Sequence, residues 1–184
     1  MKNFRLSVFA IFALVLLPLF SCDNDEIVTG TMTDEFITVP FRGIYQINAN
    51  LTDQSEKSLF FEVKGEGDAD VFGESLMFSN AEIQVNYELP DWNQFGNISF
   101  ICNMGDEVSG SFTGLFRHAW GQEPPKGHGN FTFTQGSGRY EGITGYGNYI
   151  LTMSENQTGT MEWSGYINVR KAVLTTADLN LGIQ

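Results

Sequence analysis

The amino-acid sequence predicts an all-β domain, a small antiparallel β-barrel, with a β-sandwich as the alternative. Three observations carry that expectation. Apolar residues alternate with polar ones through one short run after another, and no segment keeps a helical period. Clusters of turn-forming residues separate these runs. The chain also holds 20 glycines and 16 phenylalanines, and glycines within strands, set opposite large rings, suit a strongly curved sheet. Closing the sheet hides its edges, which favours the barrel over the sandwich.

Taken in order, the runs read as follows. Ile83, Val85, Tyr87 and Leu89 share one face, and Ile98, Phe100 and Cys102 share another. Val108, Phe112 and Phe116 form a third set, with Gly110 and Gly114 interleaved. Phe131 and Phe133 alternate with Thr132 and Thr134. Met161, Trp163, Ile167 and Val169 close the series, with Gly165 among them. The expected turns are Pro90-Asp91, Asn103 to Asp106, Pro124 to Gly127 and Asn156 to Gly159.

The N-terminus has a different character. Lys2 and Arg5 precede an almost wholly apolar stretch from Leu6 to Phe20, too short and wrongly flanked for a spanning helix. Leu19-Phe20-Ser21-Cys22 resembles the lipobox of bacterial lipoproteins, with Phe20 bulkier than the usual residue there. The resemblance implies cleavage between Ser21 and Cys22, a diacylglycerol thioether on Cys22 and a further acyl chain such as palmitate on its amine. Several chains together hold a membrane firmly, at about 0.8 kcal/mol per buried methylene. An ordinary secretory signal with a free Cys22 is the alternative.

The expected organisation is therefore a signal at residues 1–21, an acidic tether at 22–35, the β-barrel domain at 36–172 and a C-terminal tail at 173–184. Losing Lys2 and Arg5 with the signal takes the formal net charge from −12 to −14. Such a surface repels phosphate backbones and anionic headgroups, which argues against nucleic-acid partners and leaves membrane attachment to the lipid. Asp23-Asn24-Asp25-Glu26 reads as a solvated spacer. It also resembles the surface-export signals of Bacteroidetes lipoproteins, which implies the outer membrane or cell surface.

Gly136-Ser-Gly138-Arg-Tyr140-Glu-Gly142-Ile-Thr-Gly145 is the most individual stretch. It resembles a signature of the allene oxide cyclase and dirigent-type β-barrels, in which a tight glycine turn swings an aromatic, here Tyr140, into the barrel end before the next strand leaves at Gly147. Gly65-Glu-Gly67 with Val71-Phe72-Gly73, and Cys102 to Glu107, are weaker echoes. The resemblance implies a barrel fold with a hydrophobic cavity, such as the plant cyclase and radical-coupling guide of that group use; no catalytic position of that group maps onto a residue here, so none is transferred.

Residue constellations add little chemistry. His118 and His128 are expected at the base of one hairpin loop; a metal site with Glu123 lacks the spacing and ligand number that zinc requires. Asp68 and Asp70 read as a polar turn rather than a calcium loop. No catalytic-serine, zinc-protease or phosphate-loop motif occurs, and no cofactor or metal is expected. Cys102 reads as a buried, inert thiol, since no base neighbours it in sequence. Trp92 and Trp120, assigned to loops, and Tyr140, at the barrel end, are the candidate ligand contacts. A binding role for a small apolar ligand or a protein partner is favoured. A cavity isomerase or cyclase and a structural envelope component are the alternatives. A filled barrel excludes the cavity enzyme, and a large flat apolar patch on one outer face points to the structural component.

Overall fold

The structure, a computed structural model, describes residues 35–118, 123–154 and 156–174. Eight strands run in chain order: β1 Phe36–Gln54, β2 Ser58–Ala69, β3 Gly73–Gln84, β4 Asp91–Cys102, β5 Glu107–Arg117, β6 Lys126–Gly136, β7 Thr144–Met153 and β8 Thr158–Arg170. Each pairs antiparallel with its neighbours, and β8 returns to β1, so the sheet is a closed barrel and the sandwich is excluded. Short 3-10 turns at Asn103–Gly105, Gly138–Tyr140 and Lys171–Val173 are the only helical pieces among the described residues.

Alternation decides which side chains point inward, because successive residues of a strand face opposite sides. In β1, Val39, Phe41, Tyr45, Ile47 and Ala49 are buried, while Arg42, Ile44, Gln46 and Asn48 are exposed. The expected inward sets on β4, β5, β6 and β8 take the same side: Ile98, Phe100, Cys102, Val108, Phe112, Phe131, Phe133, Met161, Trp163, Ile167 and Val169 are all buried, and Phe116, near the end of β5, is half-buried.

These side chains meet in the middle. Phe100 touches the rings of Tyr45, Phe72, Phe133 and Trp163, with centroids 5.1–5.7 Å apart. Phe41 contacts Phe72, Phe131 and Phe133. The interior is thus filled by interlocking rings, mostly tilted or edge-to-face as the ring quadrupole favours.

Filling a narrow barrel this way requires strands that bend sharply and pass close to one another. Gly147 and Gly165 sit opposite each other on β7 and β8, with the Phe131 ring over Gly147. A Cβ on Gly165 would run into the carbonyl oxygen of Tyr146. The glycines expected to bend the sheet therefore do so where rings and backbones crowd most closely.

Several local expectations are corrected. The face begun by Ile83 stops at Gln84: Tyr87 and Leu89 lie in the β3–β4 turn and are exposed. There Asn86 accepts from the Glu88 amide through its side chain and from the Leu89 amide through its carbonyl, so turn chemistry overrides alternation. The strand after the glycine turn leaves at Thr144, not Gly147. Asp68 is a strand residue facing outward, and only Asp70 lies in the turn, where its amide donates to Arg42 O.

Candidate functional site

The alternating connections divide the barrel into two ends. The β2–β3, β4–β5 and β6–β7 connections lie at one end, and the β1–β2, β3–β4, β5–β6 and β7–β8 connections lie at the other. Cys22, Ser21 and Trp120 fall outside the described residues; Trp92 and Tyr140 fall at opposite ends. One small ligand cannot touch both.

The Tyr140 end is a plug. Gly138 turns the chain with φ +58°, and a Cβ there would collide with the Asp106 carboxylate. Asp106 pairs with Arg139 at 3.2 Å; the Ser137 amide donates to Glu107 O at 2.8 Å, and the Glu107 amide donates to the Ser137 hydroxyl at 2.9 Å. Tyr140 is driven inward, fully buried edge-on against Phe72, and its hydroxyl donates to Val71 O at 2.9 Å. A ligand reaches Tyr140 only if this plug opens.

Cys102 lies beneath the same end, buried, and burial pushes its thiol up to about 11. At pH 8 the native thiol is protonated and screened, so iodoacetamide is expected to leave Cys102 unmodified until denaturant is added, as read by intact mass. Rapid native alkylation at Cys102 would show an open plug.

The other end carries the accessible aromatic cluster. Trp92 is the second residue of β4 rather than part of a loop, and it faces inward across the mouth. Its Nε1 donates to Asn86 O at 2.9 Å. His118 stacks on it, with centroids 5.3 Å apart and planes at 8°, and Tyr87 meets it edge-on at 5.9 Å. Tyr87 is 81% exposed, and Leu89 beside it is exposed as well. Asp91 accepts two hydrogen bonds from Arg117, at 2.7 and 2.9 Å, and clamps β4 to the end of β5. Those hydrogen bonds, with the nearby positive charge, hold the Asp91 carboxyl below the usual carboxylate range.

The histidines are not the cross-strand pair expected. Arg117 sits opposite Lys126, while His128 faces outward between Leu115 and Ile150 and His118 is drawn over Trp92. Among the described residues, no three His, Cys, Asp or Glu side chains are grouped as a metal site requires.

Two interior polar pairs were not anticipated from the sequence. Tyr45 and Ser75 share a hydrogen bond of 2.6 Å, and Gln94 donates to Tyr149 Oη at 2.6 Å and to Leu115 O at 3.2 Å. Both satisfy hydroxyls that would otherwise be orphaned among rings. The one available signal was the inward phase of Gln94, two residues from Trp92 and four from Ile98.

No protein-family model matches the chain, and no curated protein does. Among solved structures, it is similar to two pterocarpan synthase dirigent proteins. GePTS1 is 13% identical, with 78% of this chain and 94% of that chain covered and a TM-score of 0.37. PsPTS1 is 10% identical, with 75% and 97% covered and a TM-score of 0.39. Likeness at this level adds nothing to the barrel already described and transfers no activity.

Proposed function

We propose that the chain is a lipid-anchored envelope protein whose barrel holds a small apolar ligand or a protein partner at the Trp92 rim, at the outer membrane or cell surface. The observation that supports binding at the rim is the filled interior. With Phe41, Phe72, Phe100, Phe131, Phe133 and Trp163 fully or almost fully buried and in mutual contact, a ligand is left the ends and the outer wall. That packing weighs against the cavity isomerase or cyclase, which needs room for substrate among the rings. At the rim, Tyr87 and Leu89 present apolar surface to solvent beside the Trp92–His118 stack, and exposed rings of this size suit recognition. Anchoring rests on the lipobox-like Leu19-Phe20-Ser21-Cys22 and the acidic run after it.

Metabolic labelling with a clickable palmitate analogue in a bacterial host tests the anchor. The wild-type chain is expected to take up label and partition with membranes. Cys22→Ala should lose the label and accumulate as uncleaved precursor. An unlabelled wild-type chain, with Cys22→Ala processed normally, would refute lipidation while leaving the rim reading intact. For the rim, Tyr87→Ala is expected to weaken retention of the anilinonaphthalene probe ANS without lowering Tm; unchanged retention would count against it.

A further inference from the structure

The outer wall of the barrel is divided by charge. On β2, four successive outward positions, Glu62, Lys64, Glu66 and Asp68, are ionic and exposed. Around the other side there are none. From Asn93 to Ile101, Ser109 to Leu115, His128 to Gln135 and Thr144 to Met153, on four adjacent strands, there is no Asp, Glu, Lys or Arg. A chain with 22 acidic and 10 basic residues thus leaves the middle of four strands uncharged, with Asp91, Glu107, Arg117 and Lys126 confined to the strand ends.

Strand register arranges that half into rows. Asn97, Ser111, Thr132, Tyr146 and Tyr166 stand opposite one another in turn across five strands. Two residues along, Thr113, Asn130, Asn148 and Ser164 form a second row. With strands about 4.8 Å apart, each row is a continuous track of amides and hydroxyls. Tyr146 and Tyr166 interrupt the first row as a ring pair, with centroids 6.2 Å apart and exposures of 64% and 50%.

We propose that this uncharged wall, with Tyr146 and Tyr166 at its β7–β8 border, binds a neutral glycan chain. Amides and hydroxyls both donate and accept, which matches sugar hydroxyls that do the same. Exposed rings supply flat apolar surface for the C–H face of a pyranose. The lack of charge fits a neutral ligand: covering the middle of β4 to β7 desolvates no ion, Arg42 and Glu162 mark the border beside Ser164, and the acidic remainder of the surface repels polyanionic chains. Nothing here depends on the Trp92 rim, which lies at a barrel end rather than on the wall.

The test uses the full chain on an array of immobilised neutral oligosaccharides (gluco-, manno-, xylo- and galacto-series), with heparin spots alongside. Binding to at least one neutral series and not to heparin is expected. It should hold steady between about 0.1 and 1 M salt, where screening abolishes ionic attraction. Tyr146→Ala with Tyr166→Ala should weaken binding about a hundredfold, roughly tenfold per ring. Tyr166→Phe should bind like wild type, and Asn148→Ala, which leaves both rings, should bind severalfold more weakly. Failure to bind any neutral series overturns the proposal, as does undiminished binding by a double variant with unchanged Tm. So does a chain that self-associates and is made monomeric by the double variant, since the wall is then an interface between copies.

Discussion

Replacing Phe100 with alanine is expected to cost about 3–5 kcal/mol of stability, the range for large rings removed from close-packed cores. Phe100 has no exposed surface and sits at the crossing point of Tyr45, Phe72, Phe133 and Trp163. Three of those neighbours belong to strands held in register on both sides, and Phe72 is pinned in the β2–β3 turn beneath Tyr140. The void therefore closes poorly. Tyr166→Ala removes a ring of similar size from the outer wall, where half its surface is already in water, and should cost under about 1 kcal/mol. Urea unfolding of both variants measures the contrast. A Phe100→Ala loss no larger than that of Tyr166→Ala would mean that the interior is not packed as described, and the argument for binding at the rim would go with it.

The second large effect is alkaline. Burial holds the hydroxyls of Tyr45, Tyr140 and Tyr149 well above their ordinary value of 10.0, and holds the Cys102 thiol at about 11 against 9.0. These acids stay protonated in the folded chain at pH values where the unfolded chain has already released the proton. Stability from this source is therefore complete below about pH 9 and declines as pH rises, first through Cys102 and then, from about pH 10, through the tyrosines. Each group contributes a slope approaching about 1.4 kcal/mol per pH unit, so the three tyrosines together approach about 4. A domain stable by about 5–15 kcal/mol then unfolds within a few pH units above 10. Near-ultraviolet circular dichroism against pH, with tyrosinate absorbance recorded in parallel, follows the transition. Tyr149→Phe removes one of the three hydroxyls and should lessen the slope by roughly a third. Stability that stays level to about pH 12 would contradict burial of these hydroxyls.

Much of the barrel was legible because period-two patterning is local. The phases of Ile98 with Phe100, of Val108 with Phe112 and of Met161 with Trp163 are each written within a few residues, and the structure keeps them inward. Tyr140 likewise follows from Gly138, whose positive φ is a local demand. The errors arose where a local signal competed with another. Val85, Tyr87 and Leu89 continue an apparent strand, yet Asn86 and Pro90 turn the chain there. Trp92 read as a loop residue because Pro90 stands two positions before it, although β4 has begun by then. Loop symmetry predicts His118 opposite His128, but the register sets Arg117 opposite Lys126, and His118 stacks on Trp92 instead. Of the rim cluster only Trp92 was legible, since Tyr87, Leu89 and His118 join it from turns that the fold brings together; the rows of the uncharged wall depend on cross-strand register, which the sequence does not display.

The seam between β1 and β8 runs from Phe36 opposite Arg170 to Asn48 opposite Thr158, joining the first strand to the last. Synthesis therefore delivers half of this seam at the start and the other half only when nearly the whole domain has been made. Until then β1 waits with one row of backbone groups unmet, and the aromatic interior stays open to water along one side. Contacts so distant in sequence slow folding. Loss of the final strand would leave that edge of β1 permanently open, turning a self-contained domain into a template for its own aggregation.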